Sequence, residues 1–178
     1  TSEGIKQFRH FGIDFHVAVF TNISPEHLPS HNNSFEEYAR TKAKLFETLK
    51  NQTNYVVTNA DDSQSKYMAS FSKVPVITYG IDSGEKRALN IEETPTGVTF
   101  QIEKLKINSP ILGKFNVYNI LPAVIIGLKE GGSATQVESG IQNLTGIPGR
   151  MEVMTKDDPC LVIIDYAHEK KSINALLD

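Results

Sequence analysis

Tryptophan is absent from the 178 residues and cysteine occurs once, at Cys160, so no internal disulfide can staple the fold. A chain of this length buries well over half of its unfolded surface and needs no such staple. There is no excess of basic charge: 18 Lys and Arg stand against 21 Asp and Glu, a net charge of −3. A dense positive face for a run of phosphates is therefore missing, which excludes a dedicated nucleic-acid binder. No apolar run approaches the ~18–20 residues of a membrane span, and the first residues do not read as a signal peptide. With a single thiol, these absences point to a reducing, cytoplasmic setting. Several catalytic signatures are also missing. Gly113-Lys114 has neither the earlier glycine nor the following hydroxyl of a phosphate-cradling P-loop, and no G-x-S-x-G elbow, H-E-x-x-H pair or G-x-G-x-x-G turn occurs.

What is present alternates between strand-like and helix-like segments. Short apolar runs at 17–20, 55–58, 74–79 and 161–164 read as strands. Helical spacing of Phe35, Tyr38, Leu45, Phe46 and Leu49 predicts a helix over 35–49, with Ser34 as N-cap and Glu37 completing a capping box. A polar helix is expected over 61–71, and helices over 117–130 and 134–144, the first tolerating Pro122 in its opening turns. Between 85 and 107 the rhythm changes, and two strand-like runs, 88–91 and 98–102, flank the turn-forming Thr94-Pro-Thr-Gly97. The pattern predicts an α/β fold with a largely parallel sheet. A last β/α unit begins near 161 and stops at Asp178, and the chain reads as an excised piece of a longer protein.

Few residues stand out chemically. Lys42 occupies the middle of the apolar stripe of its helix, where Leu is expected. Its stem can cover apolar surface with the ammonium reaching water, or a lysine in such a slot can lose its charge or be modified. His27 and His31 are four apart, but Pro29 between them argues against one helical face, and each reads first as a loop residue. His168 follows Asp165-Tyr166, and a carboxylate just past the end of a parallel strand stands where α/β folds place ligands. Asn116 and Asn119 can present both amides to one side, either to cap a helix or to read a base edge. Arg150 suits a surface ion pair or a phosphate contact.

Five segments together resemble the Mur ligases, ATP-dependent amide-forming enzymes of peptidoglycan precursor synthesis, and most of all their tripeptide-forming branch. They are Thr1-Ser-Glu-Gly-Ile-Lys-Gln-Phe-Arg9, Val17-Ala-Val-Phe-Thr-Asn-Ile-Ser-Pro-Glu-His-Leu28, Glu37-Tyr-Ala-Arg-Thr-Lys-Ala-Lys-Leu-Phe46, Gly113-Lys-Phe-Asn-Val-Tyr-Asn119, and Gly146-Ile-Pro-Gly-Arg-Met-Glu152 with Asp165-Tyr-Ala-His168.

The resemblance implies a central ATPase domain truncated at its start. Its sheet is mostly parallel, with flanking helices and a small antiparallel part. Residues 1–154 would belong to that domain and 155–178 to the start of the C-terminal domain. It also implies that Lys42 is carbamylated and, with His27, holds a Mg2+ ion. Thr1, Gln7 and Arg9 would contact a UDP-MurNAc-dipeptide. Asn116 and Asn119 would lie beside the adenine of ATP, Arg150 on its phosphates, and Asp165, Tyr166 and His168 in the nucleotide-facing segment. The partners implied are that dipeptide and an amino acid, and the parent is expected to be a monomer.

Departures are Pro25-Glu26 where the family has Arg-Asp, Pro29-Ser30-His31-Asn32 for Asp-Tyr-His-Gly, and Glu169-Lys170 for Thr-Pro. They leave open a folylpolyglutamate- or cyanophycin-type ligase on the same scaffold, and a nucleotide-binding module that has lost ligation. A third alternative is an unrelated interaction module with coincidental motifs.

Overall fold

The structure, a computed structural model, describes residues 1–25, 28–155, 162–168 and 170–177. It divides into two compact units, Thr1–Arg87 and Ala88–Asp178.

The first unit opens with α1 (Ser2–Lys6), a helix the periodicity did not announce. Its determinants are local. The Thr1 hydroxyl accepts from the Gly4 amide at 3.0 Å, Glu3 sits in the first turn and Lys6 in the last. Strand β1 (Val17–Phe20) follows, then a 3-10 turn (Leu28–His31) and α2 (Phe35–Glu47). Ser34 caps α2 by accepting from the Glu37 amide at 3.2 Å. The reciprocal half of the expected capping box is not made. The Ser34 amide already donates to the His31 carbonyl at 2.8 Å, and the Glu37 carboxylate takes the Asn32 side-chain amide instead.

Strands β2 (Tyr55–Asn59) and β3 (Val76–Gly80) and the short β4 (Lys86–Arg87) complete a wholly parallel sheet in the order β1-β2-β3-β4. All five residues of β2 are buried, as a central strand covered on both faces requires. Helix α3 is only Ser65–Ala69. The helix expected over 61–71 starts late because the Asp62 carboxylate accepts the Gln64 amide, a local bonding mode that competes with helix, while Asp61 is drawn to the amides of Ile81 and Ser83. Tyr38, Ala39, Ala43 and Phe46 of α2 join Ala18, Phe20, Val56 and Met68 in the core.

The second unit begins with an antiparallel sheet of β5 (Leu89–Thr94), β6 (Gly97–Ile102) and β7 (Leu105–Ser109). The hairpin expected around Thr94–Gly97 is present, and β7 adds a third strand. Gly97 has φ +151°, and a Cβ there would fall 1.9 Å from the Ser109 carbonyl oxygen, so the β6–β7 approach requires glycine. A 3-10 turn (Lys114–Asn116) leads into α4 (Val117–Lys129), which carries Pro122 in its second turn, and then α5 (Ala134–Gln142). Short strands β8 (Glu152–Val153) and β9 (Ile163–Ile164) pair antiparallel before α6 (Lys170–Leu177). Leu161, the first residue of the strand expected over 161–164, lies outside the described residues.

Candidate functional site

In a parallel sheet, ligands collect beyond the carboxyl ends of the strands. At that end of β1 the first unit has a cavity of about 220 Å3. Thr1 and Ile5 line it from α1, Thr21 and Asn22 from the residues after β1, and Lys42 and Leu45 from α2. Two residues singled out far apart in sequence, Thr1 and Lys42, thus share one pocket. Lys42 is half-buried, and its Nζ lies 5.0 Å from the centroid of the Tyr38 ring, one helical turn earlier. The lysine that interrupts the apolar stripe thus sets its amine over an aromatic ring and belongs to the lining of the pocket.

The strand ends that carry this pocket are fixed by polar residues that periodicity passed over. The Asn59 side-chain amide donates to the Thr21 carbonyl at 2.7 Å, and the Asp62 carboxylate accepts from the Ile23 amide at 3.2 Å. These bonds tie the loop after β1 to the end of β2. The signal was the cluster Asn59-Ala-Asp-Asp62 directly after an apolar strand, where Asx bonding is favoured over helix.

The other candidates of this unit lie elsewhere. Gln7 is the C-cap residue of α1, with its side-chain amide 3.5 Å from Glu3 Oε2, and Arg9 is exposed on the turn that follows. Neither lines the cavity. His27 lies outside the described residues. His31, read as a loop residue, is fully buried: its Nε2 is 3.1 Å from Ser2 Oγ, and its ring stands 5.1 Å from that of Tyr38.

In the second unit, Arg150, Asp165, Tyr166 and His168 come together. The Arg150 guanidinium carbon lies 4.9 Å from the centroid of Tyr166, and the Tyr166 and His168 rings meet edge to face at 4.9 Å. Asp165 accepts from the Met151 amide at 2.8 Å through one oxygen and from the Ala167 amide at 2.7 Å through the other. It thereby ties the segment of Arg150 to that of Tyr166. A guanidinium stacked on a ring keeps its in-plane N–H donors available for phosphate oxygens.

Asn116 and Asn119 form a pair: Asn119 Nδ2 donates to Asn116 Oδ1 at 2.9 Å, and Asn116 Nδ2 donates to the Leu112 carbonyl at 2.7 Å. Asn116 stands at the N-cap of α4 without making a side-chain cap bond, so capping is not what these amides do.

The chain matches the Mur ligase middle domain family over residues 1–127. It is 36% identical over 186 residues to a UDP-N-acetylmuramoyl-L-alanyl-D-glutamate–L-lysine ligase of Staphylococcus haemolyticus (strain JCSC1435), covering all of this chain and 37% of the relative. It is 37% identical over 187 residues to the corresponding 2,6-diaminopimelate ligase of Bacillus cereus (strain ATCC 14579), covering 99% of this chain and 38% of the relative. A solved structure of a UDP-N-acetylmuramoyl-L-alanyl-D-glutamate–2,6-diaminopimelate ligase superimposes with a TM-score of 0.80 at 30% identity, over 99% of this chain and 38% of that one. The chain therefore spans less than two-fifths of the length of these relatives. Coincidental motifs in an unrelated module do not account for agreement of this extent in both sequence and fold. The chain belongs to the Mur ligase family, as a portion centred on its middle domain.

Proposed function

We propose that the chain is part of an ATP- and Mg2+-dependent ligase that joins an amino acid to a UDP-MurNAc-dipeptide in peptidoglycan precursor synthesis. The observation that carries this reading is that Lys42 and Thr1 line one pocket at the carboxyl end of β1. In the reaction, ATP phosphorylates the D-Glu carboxylate, the incoming amine attacks the acyl phosphate, and an amide, ADP and phosphate result.

The residues fit a Mg2+ ion in a limited way. Among the described residues no three His, Cys, Asp or Glu side chains converge. Mg2+ does not need such a cage, since it usually keeps several waters and takes one or two carboxylates with substrate phosphates. Lys42 as a carbamate is one such carboxylate, and His27 is a second proposed ligand. The ion would neutralise oxygens that crowd together as an anionic carboxylate approaches an anionic phosphate.

In this reading the chain's own residues contribute the following. Lys42, once carbamylated, replaces a cation with an anion in the pocket that Thr1 also lines. Gln7 and Arg9, exposed after α1, extend the contact surface for the UDP-MurNAc-dipeptide. Arg150 supplies phosphate-directed donors, Asp165 a ribose contact, and Asn116 and Asn119 amides beside the adenine. Tyr166 and His168 complete the nucleotide-facing segment. We take residues 1–154 as central domain and 155–178 as the opening of the C-terminal domain, in a cytoplasmic, monomeric parent. Among the described residues no helix is long and apolar enough to cross a membrane.

The test uses the full-length parent prepared with bicarbonate and Mg2+. Intact mass and a tryptic map should show carbamate on Lys42, and Lys42→Ala should lower ligation by ~10^2–10^3-fold, the scale of losing a preorganised electrostatic group. Undiminished turnover in that variant would remove the reading. The 178-residue chain by itself, which lacks the phosphate cradle, should release no phosphate in the same assay.

A further inference from the structure

His31 takes no part in the scheme above, yet it is fully buried and touches a neighbour of each of two pocket-lining residues, Thr1 and Lys42. On one side its Nε2 lies 3.1 Å from the hydroxyl of Ser2, which is itself buried. Ser2 is the first residue of α1, next to Thr1, which lines the pocket and whose hydroxyl caps the helix by accepting from the Gly4 amide. On the other side the His31 ring stands 5.1 Å from the ring of Tyr38, and Tyr38 carries Lys42 Nζ at 5.0 Å over its face. The backbone strengthens the second link, because the His31 carbonyl accepts the amide of Ser34, the residue that caps α2. A five-residue helix has little stability of its own, so its position depends on tertiary partners. Lys6 adds one, donating to the Ser30 carbonyl at 2.6 Å.

We propose that His31 is a positioning residue that holds the Thr1 wall and the Lys42 wall of the pocket in register. This rests on the functional reading above for its catalytic consequence, but the mechanical link stands on its own geometry.

The experiment uses the full-length parent and the variants Ser2→Ala, His31→Leu and the double variant, with His31→Gln as the conservative replacement that keeps an amide near the Nε2 position. Amide hydrogen exchange at Gly4 and Ile5, both bonded back to Thr1, reports the first turn of α1 without any need for turnover. Each single variant should speed exchange there about fivefold, the equivalent of one hydrogen bond. The double variant should be no faster than either single one, because both remove the same contact. His31→Gln should restore protection. In ligation, His31→Leu should lower kcat about tenfold while leaving the KM for ATP unchanged, and His31→Gln should recover it.

Additive exchange effects, or unchanged exchange at Gly4 and Ile5, would overturn the link whatever the activity. Exchange that responds as expected while kcat stays at the parental value would overturn the positioning role. A parent that shows no ligation removes the functional reading, and the exchange arm still decides whether His31 holds α1.

Discussion

At the scale of single residues, the carboxylate of Asp61 anchors a dense polar arrangement. It accepts the backbone amides of Ile81 at 2.6 Å, Asp82 at 3.0 Å and Ser83 at 2.7 Å, gathering the loop after β3 around one side chain. Gly80 makes room for it, since a Cβ at that position would lie 2.6 Å from an Asp61 oxygen and 2.4 Å from the Ser83 carbonyl. Charge-assisted bonds to backbone amides are stronger than neutral ones, and removing the acceptor leaves three donors to find water. Asp61→Ala should therefore cost about 2–3 kcal/mol, read as a lower urea midpoint at unchanged slope. Asp61→Asn, which keeps one acceptor oxygen, should lose less. A midpoint unchanged by the alanine would show that solvent replaces the carboxylate without loss. The sequence announced Asp61 only as the start of a helix. The bonds that matter close over twenty residues or more, to a loop that local pattern cannot place beside it.

At the scale of elements, the caps show what local chemistry can specify. Ser133 and Gln136 form a full capping box on α5: the serine hydroxyl accepts from the Gln136 amide at 3.3 Å, and the glutamine oxygen accepts from the Ser133 amide at 2.9 Å. Ser34 and Glu37 carry the same sequence signature and complete only half of it, because the Ser34 amide is already occupied by His31. Ser133→Ala should cost ~1 kcal/mol, with helical signal lost first from α5. An unshifted thermal midpoint would count against the box as a stabilising feature.

Much of the element order was readable. The four-residue run at 17–20 and the stripe from Phe35 gave β1 and α2, since their apolar periods match the faces they bury. Helix α1 was not readable, because it has too few residues for a period and depends on Ser2 meeting His31 across 29 positions. Strand β7 was missed although Leu105, Ile107 and Ser109 alternate with Lys106 and Asn108. Its partner β6 already has a hairpin mate in β5, so the local pattern calls for no third strand. Of the candidate site, Lys42 was legible as an anomaly in a stripe, but its neighbour Thr1 was supplied by family resemblance alone.

At the scale of the molecule, the proposed chemistry is divided between the two compact units. Thr1 and Lys42 belong to Thr1–Arg87, while Arg150 and Asp165 belong to Ala88–Asp178. The two sets should therefore fail separately. In the full-length parent, Arg150→Ala should weaken binding of a non-hydrolysable ATP analogue by about tenfold or more, the loss of a charge-assisted phosphate contact, with carbamate on Lys42 unaffected. Lys42→Ala should lower turnover by the same ~10^2–10^3-fold as above, with analogue affinity changed less than about threefold. Calorimetry and mass measurement read the two arms. If both variants lost analogue affinity equally, the division of labour between the units would be wrong.

The parallel sheet has one further property. Strand β1 is its terminal member among the described residues, and Val17-Ala-Val-Phe20 contains no lysine, proline or acidic residue of the kind that natural edge strands use to repel a newcomer. Its outer row of amides and carbonyls is a template of high β-propensity, with the exposed Val19 along it. Handled as a separate polypeptide, this chain thus carries a colloidal liability that its net charge of −3 does little to offset. Such pairing grows with concentration and recruits identical copies strand by strand. It is quieted by whatever covers that margin.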